Sequence, residues 1–281
     1  MEGNETELAL LQKEKYLLEK NLQKSKHTIK TLRRNFQGMV QLLTEAISLD
    51  NMFLGSHMKR TAEMTKAFCE FLKLPKDIIY LNYYAALLHD IGLVGSKSEL
   101  IENSFDDLSD SDKKIFLEHS VLGFEIINSI YSLKRTALII RSHHENYDGT
   151  GFPDKLASGE IPIESRVIHI INDYDMNRFK FALNSEEIQL KMDPLGGSLY
   201  DPDLLNKFQG FIAHFEQSNN GSTHYIEAEN LKSGMFLDQD IILSNGLLLI
   251  PGGVLLDRVM IGKIQSFSTN LLNKNKIRVT Y

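Results

Sequence analysis

The spacing of apolar residues predicts a long helix at the start of the chain. Apolar side chains recur every seven residues in two series offset by three, and Lys, Glu and Gln are frequent between them. This a/d heptad seam is typical of a coiled coil, and we expect it to cover residues 1–38. Lys15 and Ser25 are its polar interruptions. The two series are Leu8, Lys15, Leu22, Ile29, Phe36 and Leu43, and Leu11, Leu18, Ser25, Leu32 and Met39.

Two interpretations of this helix are open. It could lie as a single amphipathic helix on its own domain, or it could pair with a second copy as a parallel homodimer. The first 35 residues contain no proline and only Gly3 as a glycine, so the sequence supplies no residue that folds the helix back. We therefore expect a homodimer, in which the helix could also carry a signal from partner proteins.

Residues 39–217 carry apolar residues at helical spacing, and alternating strand-like patterns are absent from the sequence until after residue 222. Ser109 precedes an acidic first turn and is expected to cap a helix. The pattern predicts a mainly α-helical bundle, with segments near 39–55, 57–73, 76–89, 110–130, 133–144, 164–176 and 200–216.

Residues 222–281 change character after a polar linker at 218–222. Two apolar runs flank Asn245-Gly246, a dipeptide that favours a tight turn, so we expect a hairpin over 241–250. A short helix near 257–268 and a strand near 276–280 complete a small β-rich accessory module. The module holds no catalytic constellation, and its expected role is packing or interaction.

Composition narrows the classes of partner. The chain has 281 residues, 42% of them hydrophobic, and a formal charge of −6, so no broad basic surface indicates DNA or RNA binding. No uninterrupted apolar run reaches membrane-spanning length, which predicts no membrane association. The single cysteine, Cys69, excludes an internal disulfide and a cysteine-cluster metal site, and it fits a reducing cytoplasm. We expect Cys69 to be a small buried side chain.

Five of the nine histidines carry the strongest chemical signal. A lone histidine on an apolar helix face is usually a core residue, and a His-Asp pair before glycine can be an ordinary helix end. Here the histidines lie on or at the end of separate predicted helices, which favours convergence on a metal cluster inside the bundle. Imidazole and carboxylate ligands without thiolate suit iron, manganese or zinc. The residues concerned are His57, His89 with Asp90, His119, and His143 with His144.

Residues 145–153 are a candidate wall of a substrate pocket. The Asp148-Gly149 pair and the Gly151-x-Pro153 spacing predict a tight loop in which glycine permits close backbone approach. Taken without the preceding His143-His144 pair, the same pattern would indicate only a turn between helices.

These motifs, in their order along the chain, resemble the HD-GYP domain over about residues 42–215. The family belongs to the HD superfamily of metal-dependent phosphohydrolases, which are all α-helical. Its bacterial members are phosphodiesterases that open the second messenger cyclic di-GMP to give pGpG or GMP. The resemblance therefore implies an HD-type α-helical bundle that binds and hydrolyses cyclic di-GMP. The matching segments are His89-Asp90-Ile91-Gly92, Leu108-Ser109, His119 to Gly123, His143 to Pro153, Glu160 to Arg166, and Asp201-Pro202 with Leu204-Leu205.

The resemblance implies two divalent metal ions, iron foremost, with manganese or zinc as alternatives. His89 and Asp90 are the implied catalytic residues, because Asp90 would bridge metals that activate a water for attack on phosphorus. The implied metal ligands are His57, His89, Asp90, His119, His143, His144 and Asn172, the last at the position of a family aspartate. The implied substrate-binding residues are Asp148, Gly149, Gly151, Phe152, Pro153, Arg166, Arg178 and Lys180. For Arg178 and Lys180 an ordinary surface charge is an equally open interpretation.

Four positions depart from the family pattern. Phe53 stands where some members have a glutamate that holds a third metal, so we expect at most two metals. Leu93 replaces a phosphate-contacting lysine, and Phe152 replaces the tyrosine of the family name. Asn172 offers a neutral oxygen in place of a carboxylate, which should weaken one metal site. A shift of one residue in the alignment would instead bring Asp173 to this position.

Two hypotheses of function follow. The domain could be an active cyclic di-GMP phosphodiesterase, or a degenerate relative that binds metal or nucleotide without turnover and acts as a signalling or scaffold module. The intact histidine set favours metal binding. The groups missing at Leu93 and Asn172 are electrostatic, so their loss should lower the rate first. We expect the active enzyme, with another nucleotide substrate of an HD hydrolase left open.

Overall fold

The computed structural model describes residues 2–97, 100–101, 103, 105–218, 224–233, 235–256, 258–272 and 276–280. The chain divides into two compact units, Met1–Ala46 and Ile47–Tyr281. The expected linker at 218–222 falls, apart from Ser218, outside the described residues. Among the helices in the described ranges, none contains a stretch long and apolar enough to cross a bilayer.

The first unit is a continuous helix. Helix α1 covers Glu2–Asp50, so it extends beyond the expected end of the coiled coil at residue 38. Six apolar side chains of the heptad seam are at least half exposed along it. The side chain of Leu8 lies outside the described part. Pairing of this seam with a second copy therefore stays a prediction. The six are Leu11, Leu18, Leu22, Ile29, Leu32 and Met39.

The second unit begins with a helical part, which confirms the mainly α fold class. Ser109 caps α4 as predicted, since its hydroxyl accepts a hydrogen bond from the backbone N–H of Asp112 at 3.2 Å. A π-helical turn over Met176–Lys180 directly follows α6. The helices are α2 (Met52–Phe71), α3 (Lys76–Leu88), α4 (Asp110–Asn128), α5 (Lys134–Arg141), α6 (Ile163–Asp175), α7 (Ser185–Met192) and α8 (Pro202–Ser218).

Helix α7 is an element that the sequence pattern did not predict. It has eight residues, of which only Ile188 and Met192 are buried, so an apolar period is too short to be recognised. Its start is specified by a cap instead. The side chain of Asn184 accepts from the N–H of Glu187 at 3.0 Å, and the Glu187 carboxylate accepts from the N–H of Asn184 at 2.8 Å.

An apolar core joins α2, α6, α7 and α8. Phe68 of α2 is fully buried at its centre and meets the ring of Phe208 edge-on, with ring centroids 5.3 Å apart. The neighbouring Cys69 is also fully buried, which confirms its predicted packing role. Burial raises the pKa of the Cys69 thiol to about 12, so the thiol stays protonated and unreactive in the folded chain.

The C-terminal module is β-rich, as predicted. Four strands form an antiparallel sheet in the order β1 (His224–Ile226), β6 (Ile277–Thr280), β2 (Phe236–Leu237) and β5 (Val254–Leu255). Strands β3 (Ile241–Ile242) and β4 (Leu248–Ile250) form the predicted hairpin. Gly246 in the hairpin turn has φ +85°, a value that favours glycine. Strands β4 and β5 contact α2 of the helical part. Helix α9 covers Arg258–Ser266, between β5 and β6 in the chain.

Gly92 lets α4 approach the end of α3. An added Cβ at Gly92 would overlap the carbonyl oxygen of His119 and would also press on the backbone nitrogen of Gly123. Only glycine fits this approach, which brings the backbone of His119 next to the segment that follows His89 and Asp90. The glycine of the His-Asp-Ile-Gly motif therefore positions a histidine of another helix.

We predict that Gly92→Ala lowers the free energy of unfolding by about 1–3 kcal/mol, because the added methyl group must push α4 away. Gly210→Ala is the matched control. Nothing lies within 4 Å of an added Cβ at Gly210, and alanine in a helix interior should stabilise by up to about 1 kcal/mol. Chemical denaturation measures both variants. Equal stability of Gly92→Ala and the wild type would contradict the close approach.

Candidate metal centre

The predicted metal ligands come from five helices of the second unit. His57 lies on α2, His89 and Asp90 follow α3, and His119 lies on α4. His143 and His144 follow α5, and Asn172 lies on the last turn of α6. In the described chain two groups of side chains could hold a metal ion, and in each group the ligand atoms lie within 4.8 Å of one another. One group is His57, His89 and Asp90, and the other is Asp90, His119, His143 and His144.

Asp90 is common to both groups, and its two oxygens face different histidines. Its Oδ2 lies 3.4 Å from Nε2 of His57 and 3.2 Å from Nε2 of His89. Its Oδ1 lies 3.3 Å from Nε2 of His119 and 3.7 Å from Nε2 of His143. A carboxylate placed in this way can give one oxygen to each of two cations, which is the bridging arrangement that the sequence resemblance implies.

The other ring nitrogen of His89, His119 and His143 has its own partner. Nδ1 of His89 lies 2.7 Å from the carbonyl oxygen of Ala86, and Nδ1 of His143 lies 2.6 Å from that of Ile140. Nδ1 of His119 contacts the carbonyl oxygen of Phe116 in the same way. A carbonyl can only accept, so Nδ1 carries the hydrogen in all three rings. Their Nε2 atoms are the ones that face the centre.

This set of atoms fits a pair of divalent cations. Nε2 of His57 and of His89 are 3.2 Å apart, and so are Nε2 of His119 and of His143. Nitrogen atoms held this close around a buried carboxylate are unfavourable unless a proton or a cation lies between them. Nitrogen and oxygen donors without sulfur suit iron, manganese or zinc. Residues from separate helices thus present a ready-made donor set.

The pKa values of the buried groups are set by burial and by the close contacts between carboxylates and imidazoles. Burial alone would raise the pKa of Asp90, but the charge of His89 and hydrogen bonds with His119, His57 and His89 hold it well below its usual range. Burial and the neighbouring histidines hold the pKa values of His143 and His144 well below theirs, so both rings are neutral. Burial lowers the pKa of His57, yet hydrogen bonds with Asp175 and Asp90 outweigh it and raise this pKa to about 9. The carboxylates therefore attract positive charge to the centre.

Asn172, and not Asp173, faces the centre. Oδ1 of Asn172 lies 3.0 Å from Nε2 of His57 and 3.2 Å from Nε2 of His89. Its Nδ2 donates to Oδ1 of Asp173 at 3.0 Å, which fixes the orientation of the amide. The Asp173 carboxylate also accepts from the hydroxyl of Tyr200 at 2.7 Å. Of these two residues, Asn172 is the one next to His57 and His89, so an uncharged oxygen faces the centre at this point.

Two residues behind His57 were missed by the sequence analysis. Asp175 is buried and its Oδ2 lies 2.6 Å from Nδ1 of His57, which therefore donates to it. Arg60 holds the same carboxylate with two hydrogen bonds, of 2.7 Å from Nε and 2.9 Å from Nη2. Carboxylates of this kind orient a ligand imidazole and increase its basicity. Each lies three residues after a predicted ligand, Arg60 after His57 and Asp175 after Asn172, and this spacing was the available signal.

The glycine-containing loop folds back onto His144. The ring of Phe152 stacks on the imidazole of His144 with centroids 4.9 Å apart, and Pro153 beside it is half-buried. An added Cβ at Gly151 would overlap the carbonyl oxygen of His144. Gly149 has φ +82°. The loop therefore lies against one of the predicted ligands, as expected for a pocket wall.

Two carboxylates hold the shape of this loop. Glu145 is buried and accepts from the backbone N–H groups of Asp154 at 2.6 Å and Leu156 at 3.1 Å. Asp148 is exposed, and its Oδ1 accepts from the N–H and the hydroxyl of Thr150 at 2.9 and 2.6 Å. In this structure Asp148 stabilises the turn, and its predicted contact with substrate stays a prediction.

Three basic side chains that were predicted to bind substrate are hydrogen-bonded to other groups of the protein. Nη1 of Arg166 lies 2.5 Å from Oδ2 of Asp201, and Nη1 of Arg178 donates to the carbonyl oxygen of Leu183 at 3.2 Å. Nζ of Lys180 donates to two backbone carbonyl oxygens, those of residues 101 and 103, at 2.9 and 2.7 Å. Phosphate contacts by these three residues stay a prediction.

The positions of Phe53 and Leu93 are apolar in structure as well as in sequence. Leu93 is buried in a cluster with Leu54 and Met58, and Phe53 packs against the same cluster. A lysine at position 93 would have to bury its charge among apolar side chains, whereas Phe53 is only partly buried. Both departures from the family pattern therefore belong to one consistent local packing.

Comparisons with known proteins identify the family of the helical part. The family model described as HD domain matches residues 41–204. A cyclic di-GMP phosphodiesterase of Thermotoga maritima is 26% identical, with 72% of this chain and 55% of the relative covered. A 3'3'-cGAMP-specific phosphodiesterase of Vibrio cholerae is 27% identical over 65% of this chain and 37% of the relative. The chain thus spans about half the length of the first of these relatives, and less of the second.

A solved structure shares the fold. It is described as an HDG"Y"P protein from Bdellovibrio bacteriovorus and superposes with a TM-score of 0.50 at 19% identity, covering 56% of this chain and 51% of that one.

We predict that Asn172→Asp tightens binding of Mn²⁺ to the His57–His89 side of the centre by about tenfold or more, because it adds a charge to the ligand set. In chelator the same variant should be less stable than the wild type, since the new carboxylate lies beside that of Asp173. Asn184→Asp, which adds the same charge at the cap of α7, is the control. Metal titration and denaturation in EDTA measure both effects. An unchanged Mn²⁺ affinity for Asn172→Asp would show that residue 172 is not a ligand.

Proposed function

The chain belongs to the HD domain family, and from this premise we propose that it is a divalent-metal-dependent phosphodiesterase acting on cyclic di-GMP or a related cyclic dinucleotide. The observation that carries the proposal is the single carboxylate of Asp90 shared by two groups of buried histidines. One group would hold the first cation and the other group the second. Iron is the proposed metal, with manganese or zinc as alternatives of the same ligand preference.

When bound, two divalent cations would supply Lewis-acid stabilisation of the phosphate and a water with a lowered pKa. The residues of this chain contribute to that chemistry by holding the ligand side chains in fixed positions. Asp90 sets the separation of the two ligand groups, and His89 lies directly beside it, 3.2 Å away. Backbone carbonyls fix the rings of His89, His119 and His143, and Asp175 fixes His57. These four ligand rings are therefore already oriented before a substrate arrives, which is the basis of electrostatic preorganisation.

The substrate class follows from charge and from the relatives. The chain carries a net charge of −6, so an anionic dinucleotide needs local positive charge, which the proposed cations provide. The relatives described above act, by their names, on cyclic di-GMP and on 3'3'-cGAMP. We propose the loop from Asp148 to Pro153 as the wall that contacts the substrate, with Phe152 already packed on a ligand. Arg166, Arg178 and Lys180 would have to exchange present partners for phosphate.

We predict that protein purified without chelator under anaerobic conditions contains about two metals per chain and converts cyclic di-GMP or 3'3'-cGAMP to linear products in Fe²⁺ or Mn²⁺. Asp90→Asn should lower metal affinity and rate by at least about 100-fold, since it removes the shared charge. Asp154→Asn, at an exposed ion pair with Arg141, is the control. Elemental analysis and chromatography of products measure the outcome.

Two results would contradict the proposal that the chain is an enzyme. Metal without any product would favour the degenerate module that binds dinucleotide without turnover, and cyclic di-GMP affinity would then be measured. A chain without metal would show that the histidines serve another purpose and that the domain acts through protein contacts.

We also propose that the protein is a homodimer through α1, and that the helical domain covers 39–217 and the accessory module 222–281. The support is the exposed apolar seam, in which Leu18 is 75% exposed and Leu32 62%. A seam of this kind in a long helix becomes buried when two copies pair. A cytoplasmic setting and signalling partners, which could act on this helix, stay predictions.

We predict that Leu18→Glu with Leu32→Glu converts the dimer to a monomer, because it places like charges in the seam. Leu17→Glu is the control, since Leu17 is also exposed, at 48%, but lies outside both heptad series. Light scattering after gel filtration gives the molar mass. A wild-type monomer, or a dimer in all three proteins, would contradict pairing through this seam.

A further inference from the structure

A contact of the C-terminal module lies at one end of a line of residues that leads to the proposed metal centre. Gly253 connects β4 and β5 with φ +83°, and its N–H donates to the carbonyl oxygen of Leu237 at 2.6 Å. An added Cβ at Gly253 would overlap the ring of Phe179, most closely at Cζ. The backbone of the module therefore touches the edge of this ring directly.

Phe179 in turn contacts Arg60. It lies in the π-helical turn that follows α6, and Cζ of Arg60 is 4.2 Å from the centroid of its ring. Arg60 is buried on α2. A guanidinium over an aromatic face is attracted to it, and the contact is stronger when water is excluded. The ring of Phe179 thus packs against the guanidinium group.

The edge of the same guanidinium is held by Asp175. Its Nε and Nη2 donate to Oδ1 and Oδ2 at 2.7 and 2.9 Å, and Oδ2 also accepts from Nδ1 of His57 at 2.6 Å. A fork of this kind fixes the plane of the carboxylate as well as its position. The plane of the carboxylate sets the direction of the His57 ring, whose Nε2 faces Asp90 and Asn172.

We propose that the C-terminal module sets the geometry of one half of the metal centre through the contacts Gly253–Phe179–Arg60–Asp175–His57. Phe179 and Arg60 are then positioning residues, which touch neither metal nor substrate but fix the ring of a ligand. The proposal rests on the proposed function in taking His57 as a metal ligand. It assigns the module a role in the chemistry of the helical domain that goes beyond packing.

The line of contacts is one-sided, and this makes it testable. It ends at His57, in the group with His89 and Asp90, whereas His119 and His143 are oriented by the backbone of their own segments. Loosening the line should therefore weaken one metal site and spare the other. A packing role alone would lower the stability of the fold and leave the affinity ratio of the two sites unchanged.

In the test, the full chain is stripped of metal with a chelator and is then titrated with Mn²⁺. The signal of free Mn²⁺ measures how much of it is bound. Phe179→Ala should weaken one of the two sites by about tenfold, within the range for residues that orient metal ligands, with the other site unchanged. Phe179→Leu keeps most of the apolar volume without adding an atom beyond Cζ, and it should lose less affinity than Phe179→Ala. Phe181→Ala is the matched control, since this nearby ring faces Lys180 and Lys191.

A double-mutant cycle tests whether Phe179 acts through Arg60. Arg60→Lys keeps the charge but loses the two-point hold on Asp175. If the contacts form one line, Phe179→Ala added to Arg60→Lys should cause little further loss of Mn²⁺ affinity. Additive losses would overturn the line, because each residue would then act independently.

A pair of glycines tests the contribution of the module. Gly253→Ala and Gly246→Ala both place alanine at a positive φ, of +83° and +85°, but nothing lies within 4 Å of an added Cβ at Gly246. The backbone strain is therefore shared, and only Gly253→Ala presses on Phe179. Gly253→Ala should weaken the same Mn²⁺ site as Phe179→Ala, and Gly246→Ala should leave both sites unchanged.

The outcomes separate this proposal from the one on which it rests. A wild-type chain that binds no Mn²⁺ would overturn the metal centre and the line of contacts together. Two sites in the wild type, with both affinities unchanged or equally lowered in Phe179→Ala, would overturn the line of contacts and leave the metal centre intact.

Discussion

The carboxylate of Asp90 is the constraint around which the second unit of the chain is built. Four imidazole nitrogens from separate segments lie within 3.7 Å of its two oxygens, and all five side chains are buried. Burial alone would raise its pKa, yet its histidine partners keep it ionised. Such a concentration of lone pairs is costly for a protein core unless cations compensate it. The helices that carry these side chains can therefore be understood as a frame for a charged centre.

Close backbone contacts, together with a second set of polar contacts, hold the metal-ligand side chains in place. Gly92 lets the backbone of α4 reach the segment after Asp90, and Gly151 lets the loop reach His144. Asp175 and Arg60 complete the hold on His57. Each of these contacts restricts a ligand that could otherwise rotate, so the same residues that stabilise the fold also define the chemistry that it can perform.

Sequence reasoning reached those features that depend on residue type and local pattern. The histidines were recognisable because imidazoles repeated on several predicted apolar helix faces indicate that they bind a common metal centre. The hairpin was recognisable from Asn245-Gly246. The choice between Asn172 and Asp173 needed structure, since neighbouring positions on a helix point about 100° apart. Helix α7 was not predicted because its apolar pattern is too short. Its cap at Asn184 was the only local signal of a helix there.

Other features could not be predicted because their partners are distant in sequence and chemically ordinary. Lys180 binds backbone carbonyls of residues 101 and 103, which any residue type could supply. The contact of Phe179 with Gly253 depends on how the module packs on the helical part. Pairing of the heptad seam is a property of two chains and cannot be seen in one.

The most direct test of the central claim is electron paramagnetic resonance of the Mn²⁺-loaded protein at low temperature. A carboxylate that bridges two ions couples their spins, so a shared Asp90 predicts the spectrum of an exchange-coupled pair. Loss of the coupled signal in Asp90→Asn would connect it to this residue. A spectrum of isolated Mn²⁺ ions in the fully loaded wild type would contradict the shared carboxylate, and with it the account of the site as a two-metal centre.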